Sequence, residues 1–259
     1  MGDFLDTLAC SAKASVDEGY YEDTVSAAAA SASLRNAIMQ SVVAAVIAEV
    51  KGASPSRGVI RKSFCPGRIA EAMARGGAAG ISVITEPKHF CGSLGYLAEI
   101  RGAVSLPLLM KDIVVSPVQL DAAAKVGANA VLLIQALFDR GHCEQDIEEM
   151  IAGAHRKNLE VLLETHSEKE FRAALDSEAD LIGINNRDLG TLEVDLTLTR
   201  KLLANSDCRG KVVVSESGIE SPADVRFLSK CGAAAFLVGS AIMMSADIEQ
   251  KVKELVEAL

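Results

Sequence analysis

Eight short apolar runs recur along the chain from residue 46 onward, each followed by a loop and an amphipathic segment. The runs are continuous rather than alternating, which is typical of parallel strands buried on both faces. Eight strand-and-helix units in series predict an α/β fold, a single (β/α)8 TIM barrel. An open doubly wound sheet is the alternative, but the glycine-rich turn expected after its first strand is absent. The runs cover residues 46–50, 81–85, 106–111, 130–134, 161–164, 181–185, 212–216 and 234–238.

The segments between the runs carry helix start and stop signals. Ser116-Pro117-Val118-Gln119 and Ser167-Glu168-Lys169-Glu170 predict capping boxes, in which two orphan amides are satisfied reciprocally. Ser221-Pro222 predicts a cap followed by proline at the first helical position. Gly127 and Gly232 stand where helices are expected to end.

The two ends of the chain complete the predicted domain, which covers residues 1–259. Residues 1–45 precede the first strand and predict a helical extension packed on the barrel, with helix over the Ala-rich stretch 26–33. No linker-like stretch divides the chain. The last segment places one apolar face on Ile248, Val252, Leu255, Val256 and Leu259.

Composition limits the partners and the compartment. The chain has 26 Lys+Arg against 35 Asp+Glu, a net charge of −9, which argues against nucleic-acid or anionic-membrane surfaces. The first 13 residues do not resemble a signal peptide, and the longest apolar stretch is too short to span a membrane. We therefore expect a cytoplasmic protein, whose cysteines are small buried side chains without metal-ligand spacing. The six cysteines are Cys10, Cys65, Cys91, Cys143, Cys208 and Cys231.

Long polar side chains stand where five of the predicted strands end. In a barrel these ends converge on one pocket, so we expect the side chains to share a site. Glu49 and Lys51 lie on the same face of their strand, where they form either an internal salt bridge or part of the site, or both. The other strand ends contribute Lys111 and Asp112, Glu164, Asn185 to Arg187, and Glu216 with Ser217.

The last two strand ends carry small residues just before predicted helices. Ser217-Gly218-Ile219 and Gly239-Ser240-Ala241 predict either tight turns or an anion cradle of backbone amides at the usual phosphate site of such barrels. The sequence Ser54-Pro55-Ser56-Arg57-Gly58 follows the first strand and offers hydroxyls and a cation to the same anion. With Lys51, Lys111 and Arg187, these groups predict a positive mouth on an acidic protein.

These motifs together resemble indole-3-glycerol phosphate synthase. The resemblance covers about residues 46–245, in order and at barrel spacing. It implies a lyase of tryptophan biosynthesis that closes the ring of 1-(2-carboxyphenylamino)-1-deoxyribulose 5-phosphate with loss of CO2 and water. It implies no metal and no organic cofactor. The motifs are Ile47-Ala48-Glu49-Val50-Lys51, Ser54-Pro55-Ser56-Arg57-Gly58, Ile81-Ser82-Val83-Ile84-Thr85-Glu86, Phe90 with Gly92-Ser93, Pro107-Leu108-Leu109-Met110-Lys111-Asp112, Gly183-Ile184-Asn185-Asn186-Arg187-Asp188-Leu189, Ser215-Glu216-Ser217-Gly218-Ile219 and Leu237-Val238-Gly239-Ser240.

The resemblance also implies roles for individual residues. Lys111 is the general acid that protonates the substrate carbonyl, Lys51 pairs with the anthranilate carboxylate and serves as a later proton donor, and Glu164 handles protons in the dehydration. The remaining residues fall into three groups: positioning by Glu49, Asn185, Glu216 and Ser217; phosphate binding by Ser54, Gly218, Gly239 and Ser240; and contact with the aromatic ring and its carboxylate by Phe90 and Arg187.

Two other functions stay open at this point. Phosphoribosylanthranilate isomerase, or another phosphate-binding barrel, would share the Gly-Ser ends, but the isomerase requires a catalytic Cys and Asp where this chain has Glu49 and Lys51. A catalytically inactive barrel that serves as a scaffold would share the fold. One departure concerns packing of the aromatic ring: Ile113 stands where the resembled family usually has phenylalanine.

Overall fold

The strands of this computed structural model close into one parallel barrel, as the sequence predicts. The model describes residues 2–22, 24–27, 31–54, 58–61, 63–188, 190–204, 206–208 and 210–259. Each strand pairs with its neighbours in chain order, and the last pairs with the first. The barrel strands are β1 (Ala45–Val50), β2 (Gly80–Ile84), β3 (Leu108–Lys111), β4 (Ala130–Ile134), β5 (Glu160–Thr165), β6 (Leu181–Asn185), β7 (Val212–Glu216) and β8 (Ala235–Val238).

Helices precede and surround this barrel. Almost every strand residue is buried, because barrel side chains fill the inside of the sheet while helices cover the outside. A short antiparallel hairpin, Ala53–Ser54 with Gly58–Val59, follows β1. The helices are α1 (Phe4–Asp17), α2 (Leu34–Met39), α3 (Pro66–Arg75), α4 (Leu94–Ala103), α5 (Pro117–Lys125), α6 (Gln135–Asp139), α7 (Ile147–Arg156), α8 (Glu168–Asp176), α9 (Thr197–Ala204), α10 (Pro222–Cys231), α11 (Ser240–Met243) and α12 (Ile248–Val256).

The N-terminal extension covers both ends of the barrel. Helix α1 lies at the carboxyl ends of the strands, where Asp3 and Asp6 both contact Arg140 in the loop after α6, at 2.7 and 3.0 Å. Helix α2 lies at the opposite end, where Glu160 at the start of β5 accepts the backbone N–H of Leu34 at 2.7 Å. Between these two helices, the N–H of Ala27 donates to the carbonyl of Lys125 at the end of α5.

Most of the predicted helix signals are confirmed. Ser116 and Gln119 form a capping box at α5, and Ser221 forms one with Asp224 at α10. Gly232 ends α10 in the left-handed conformation (φ 107°), which glycine adopts without steric cost. At α8 the pattern differs, because Glu170 accepts from the backbone N–H of His166 rather than from that of Ser167.

Several local expectations are wrong. No described cysteine is buried: three are exposed and three are half-buried, and all six are free thiols. Leu259 is 55% exposed because α12 ends at Val256. Residues 24–27 and 31–33 are not helical, and residues 28–30 lie outside the described part of the chain. Strand β3 begins at Leu108 rather than at residue 106, because Pro107 has no N–H to donate to a ladder.

Among the described residues, no helix combines the length and the apolarity that crossing a bilayer requires.

Candidate active site

A cavity of about 380 Å³ opens at the carboxyl ends of the barrel strands, under α1. A site there is expected, since the strand ends and the loops that follow them converge. Asn186, directly after β6, is not part of the cavity wall, because its side-chain amide donates to Ser215 Oγ at 3.0 Å. All thirteen residues to which the resemblance assigns a role line this cavity. They are Glu49, Lys51, Ser54, Phe90, Lys111, Glu164, Asn185, Arg187, Glu216, Ser217, Gly218, Gly239 and Ser240.

Lys111 stands at the centre of a buried ionic cluster. Its Nζ lies 3.0 Å from Glu164 Oε2 on β5 and 2.8 Å from Glu216 Oε2 on β7. Asn185 Nδ2 donates to the other oxygen of Glu164 at 3.0 Å. Gly183 on β6 makes room for this arrangement, because a Cβ there would collide with Glu216 Oε1. Four strands thus hold one ammonium group in a fixed place.

The members of this cluster differ in the direction in which their pKa values are shifted. Burial alone would lower the pKa of Lys111, but the carboxylates of Glu164, Glu216 and Glu49 outweigh it and raise that pKa. Burial also favours protonated Glu164, yet Lys111 and the Asn185 amide hold its pKa below the usual value. Burial raises the pKa of Glu216 to about 7, since the opposing effect of Lys111 is incomplete and Glu164 adds repulsion. Carboxyls with different proton affinities suit a reaction that needs both acid and base.

A second ion pair lies at the ends of β1 and β8. Lys51 Nζ is 2.9 Å from Glu49 Oε1, which confirms that these side chains share a face. Gly239 approaches so closely that a Cβ would touch Glu49 Oε1 and lie 2.8 Å from Lys51 Nζ. Its φ of −118° is open to other residues, so the glycine serves close packing rather than a turn.

Two carboxylate oxygens in the cavity wall have no hydrogen-bond partner. Glu49 Oε2 and Glu216 Oε1 are both buried and unpaired among the described residues. The hydroxyl of Ser54 in the hairpin after β1 is likewise buried and unpaired. An unmet buried polar atom costs on the order of 1–3 kcal/mol, so three of them at one cavity indicate groups that await a polar ligand.

The small residues after β7 and β8 differ from each other in geometry. Ser217 and Gly218 both have positive φ, 65° and 78°, and the first is uncommon for serine. They lie in a loop, since α10 begins only at Pro222, so the expected helix N-terminus is not next to them. Gly239 does cap a helix directly, because α11 begins at Ser240. Of the two expected anion cradles, only the one at Gly239 and Ser240 lies at the start of a helix.

The loop after β1 packs against the same end of the cavity. Residues 55–57 lie outside the described residues, so the expected contribution of Pro55, Ser56 and Arg57 stays a prediction. Arg61 ends the hairpin loop, and its guanidinium donates to the carbonyls of Met243 and Ser245 at 2.7 and 2.8 Å. This contact ties the loop that carries Ser54 to the last turn of α11.

Part of the cavity wall is formed by one apolar cluster. Phe4 and Leu8 reach it from α1, and Phe90 and Ile113 reach it from loops after β2 and β3. Glu86 holds the loop of Phe90, since its carboxylate accepts the backbone N–H groups of residues 88, 89 and 90 at 2.7–3.0 Å. Arg187 donates to the carbonyl of Leu192 at 2.7 Å and so holds the loop after β6 against the site.

The expected positive mouth stays a prediction, but its cations are largely neutralised by neighbours. Three cations among the described residues line the cavity, Lys51, Lys111 and Arg187, and both lysines are paired with carboxylates. Buried lysines need such partners, because an unpaired charge is costly away from water. Carboxyl groups outnumber the cations in the described wall: Glu49, Glu86, Asp112, Glu164, Glu216 and Glu220.

No cluster of three or more metal-ligating side chains occurs among the described residues.

Sequence reasoning missed some residues of the cavity wall. Glu86 stands two residues after the end of β2, close enough for the strand-end rule that found Lys111 to have indicated it. Phe4 and Leu8 carried only an i, i+4 apolar signal, which any buried helix face shows. Their place in the site depends on where α1 docks.

Comparison with known proteins agrees with this geometry. The family model described as indole-3-glycerol phosphate synthase matches residues 9–255. A protein of that name from Dehalococcoides mccartyi (strain CBDB1) is 45% identical over 215 residues, 81% of this chain and 80% of the relative. Another of that name from Desulforamulus reducens is 39% identical over 224 residues, 86% of this chain and 83% of the relative.

Two solved structures share the fold of this chain although their sequences are no more than 20% identical to it. Thiamine phosphate pyrophosphorylase from Pyrococcus furiosus superposes with a TM-score of 0.60 at 20% identity, covering 87% of this chain and 97% of that one. The N-acetylmannosamine-6-phosphate 2-epimerase from Clostridium perfringens gives 0.62 at 17% identity, covering 83% and 93%. These two show the barrel fold alone. The family model and the curated relatives, by contrast, show the family: the chain belongs to the indole-3-glycerol phosphate synthase family.

Proposed function

We propose that this chain closes the ring of 1-(2-carboxyphenylamino)-1-deoxyribulose 5-phosphate in the cavity under α1, in the biosynthesis of tryptophan. The aryl carbon that bears the carboxylate attacks the ribulose carbonyl, CO2 leaves, and loss of water gives indole-3-glycerol phosphate. The observation that carries the proposal is Lys111, an ammonium held by two carboxylates at the floor of a cavity whose wall is partly apolar and partly polar.

Lys111 is the general acid of ring closure in this proposal. Its raised pKa keeps the ammonium protonated at neutral pH, so a proton is available when negative charge develops on the carbonyl oxygen. Glu164 lies 3.0 Å from the same Nζ and handles the protons of dehydration. Asn185, Glu216 and Glu49 position these groups and the sugar hydroxyls, which would supply donors to the unpaired oxygens of Glu49 and Glu216.

The two parts of the wall divide the substrate between them. The apolar part, with Phe90, accommodates the anthranilate ring, and Lys51 and Arg187 pair with its carboxylate until CO2 leaves. A dry pocket favours that loss, because the electron pair that CO2 leaves behind flows into a cationic intermediate. Ser217 positions the sugar hydroxyls in the same region. The phosphate lies at the other end, bound by Ser54, Gly218, Gly239 and Ser240.

Further expectations follow from the family and the composition. We expect a single domain over residues 1–259, no metal or organic cofactor, a cytoplasmic location and no nucleic-acid or membrane partner. A small phosphorylated anthranilate-sugar is the substrate. We expect a monomer, with a weak dimer as the alternative, which sedimentation equilibrium over a range of concentrations distinguishes.

One assay tests the function directly. The purified chain is mixed with the anthranilate-deoxyribulose phosphate, and indole fluorescence is followed. The chain contains no tryptophan, so new indole emission comes from product alone. A Lys111→Ala chain is the control for uncatalysed closure. Emission that rises with the native chain and not with the variant supports the proposal. Binding of a reduced substrate analogue with no product would instead support a scaffold.

A further inference from the structure

A buried carboxylate that the proposed mechanism does not use follows Lys111 directly in the chain. Asp112 is 2% exposed and accepts three hydrogen bonds. They come from the Thr85 hydroxyl at 2.5 Å, the Ile113 backbone N–H at 2.7 Å and the Tyr21 hydroxyl at 3.1 Å. All three donors are neutral, so the described contacts surround Asp112 with hydrogen bonds rather than with a cation.

Of the three donors to Asp112, Tyr21 is the most distant in sequence, and it lies in the segment that follows α1. Tyr21 is 3% exposed, and its ring packs edge-to-face on Tyr20 at 4.9 Å between centroids. Tyr20 continues the network, because its hydroxyl donates to the Thr85 carbonyl at 3.0 Å and accepts the Leu94 N–H at 3.1 Å. Two consecutive tyrosines of the extension thus bind the ends of β2 and β3.

This network holds the backbone that carries Lys111. The N–H of Thr85 donates to the Lys111 carbonyl at 3.0 Å, and the Thr85 side chain donates to Asp112. The strand end is therefore fixed by main-chain and side-chain contacts, while the ammonium at the other end of Lys111 is fixed by two glutamates. A long side chain keeps a reactive orientation only when both of its ends are held.

We propose that Tyr21 is a positioning residue for Lys111, acting through Asp112. This inference rests on the proposed role of Lys111 as the general acid. It gives the N-terminal extension a part in the chemical step in addition to covering the cavity. The hydroxyl of Tyr21 is the part that matters, since it reaches Asp112 from a segment 91 residues away in sequence.

The network works in this way only when Asp112 is ionised, because a protonated carboxyl cannot accept from all of its neighbours. Burial raises the pKa of Asp112 to about 6, and the hydrogen bonds from Thr85, Ile113 and Tyr21 oppose that rise. The other titratable groups that face it are Glu86, which raises the pKa further, and the two tyrosines. Loss of the Tyr21 donor therefore moves the titration of Asp112 to higher pH.

The test compares three variants of the full chain in the ring-closure assay. For Tyr21→Phe we expect kcat to fall on the order of fivefold, because a hydrogen bond that supports Lys111 only indirectly is lost, with KM within about twofold. The acidic limb of the kcat profile should move to higher pH. Tyr96→Phe is the matched control, since Tyr96 packs on Phe64 away from this network, and we expect native kinetics. Asp112→Asn should remove the part of the acidic limb that Asp112 contributes.

A double variant separates positioning from stability. In the Asp112→Asn background, Tyr21→Phe should lower kcat no further, because the two residues act as one unit. Three results would overturn the proposal: native kcat and pH profile in Tyr21→Phe, a lower thermal midpoint as the only change, or equal losses of kcat in both backgrounds. If Lys111→Ala keeps native kcat, the proposed role of Lys111 is what fails. If Lys111→Ala is inactive and Tyr21→Phe is native, only the present inference fails.

Discussion

Helices of one N-terminal extension lie across both ends of the barrel, but they cover different kinds of surface. At the amino-terminal end, Leu34 of α2 packs against Gly80 so closely that a Cβ on the glycine would touch its side chain. Leu34 is fully buried there. At the carboxyl-terminal end, Leu8 of α1 lines a cavity of about 380 Å³. We call the amino-terminal end, where Leu34 packs on the strands, the filled end. The carboxyl-terminal end, where a cavity lies beneath α1, is the open end.

The carboxylates at the two ends show the same contrast. Glu160, at the filled end, accepts from the N–H groups of Leu34 and Arg35 and from the hydroxyl of Ser33. Glu49 and Glu216, at the open end, each keep a buried oxygen without a partner among the described residues. Unmet polar atoms reduce stability. The difference indicates that the filled end stabilises the barrel while the open end retains groups for a ligand, so substitutions at the two ends should have separable effects.

The largest effect is expected for the central lysine. Lys111→Ala should lower kcat by about 10³-fold or more, since it removes a general acid, and should change binding of a reduced substrate analogue by less than about tenfold. Steady-state kinetics and calorimetric titration measure the two quantities. The matched control is Lys211→Ala at the filled end, where the ammonium donates to the carbonyls of Ser177 and Ala179. That variant should lose stability and keep kcat. Near-native turnover of Lys111→Ala would remove the lysine from its assigned role.

The next effect concerns stability at the filled end. Leu34→Ala should lower the free energy of unfolding by about 2–5 kcal/mol, because a fully buried leucine leaves a cavity, and should leave kcat unchanged. Leu8→Ala makes the same chemical change at the open end, where it should also raise KM. Urea denaturation and kinetics on both variants test this contrast. Equal effects of the two substitutions on KM would show that the ends are not functionally distinct.

A smaller effect is expected at the start of α11. Ser240→Glu should raise KM about tenfold or more, since the added carboxylate opposes the substrate phosphate. The inhibition constant of inorganic phosphate should rise in parallel. Ser31→Glu places the same charge on an exposed serine of the extension and should leave both constants unchanged. An unaltered KM in Ser240→Glu would move the phosphate site to another loop.

The smallest effect is a pH dependence of stability from Glu216. Its pKa rises from an ordinary 4.5 to about 7 on folding, so the native state holds a proton that the unfolded state releases. This contribution is complete below pH 4.5 and is lost as the pH rises through 7. In Glu216→Gln, unfolding free energy should therefore fall less between pH 4.5 and 7 than in the native chain. Parallel stability curves for the two chains would contradict the raised pKa.

Regular spacing made the barrel predictable. Continuous apolar runs and capping residues are local signals, and they located all eight strands to within two residues. The errors fell where local signals compete with long-range contacts. The Ala-rich stretch after Tyr21 favours helix by propensity, yet its described residues are not helical, and Ala27 donates its N–H to Lys125 of α5 instead. The cysteines were expected inside because of their residue type, but residue type does not specify which helix face a side chain occupies.

The sequence by itself determined the barrel and the chemical types at the strand ends, because strand periodicity and the barrel rule place those residues at one mouth. The motifs at those ends indicated the family by their resemblance to it. Only the tertiary structure decided how they pair. Lys111 contacts glutamates 53 and 105 residues away, and Tyr21 reaches Asp112 across 91. Charge balance, unpaired oxygens and shifted pKa values depend on those distances and on burial, which a count of charges along the chain does not contain. The sequence predicted Lys51, Lys111 and Arg187 at one mouth, and only the fold shows that both lysines lie beside carboxylates.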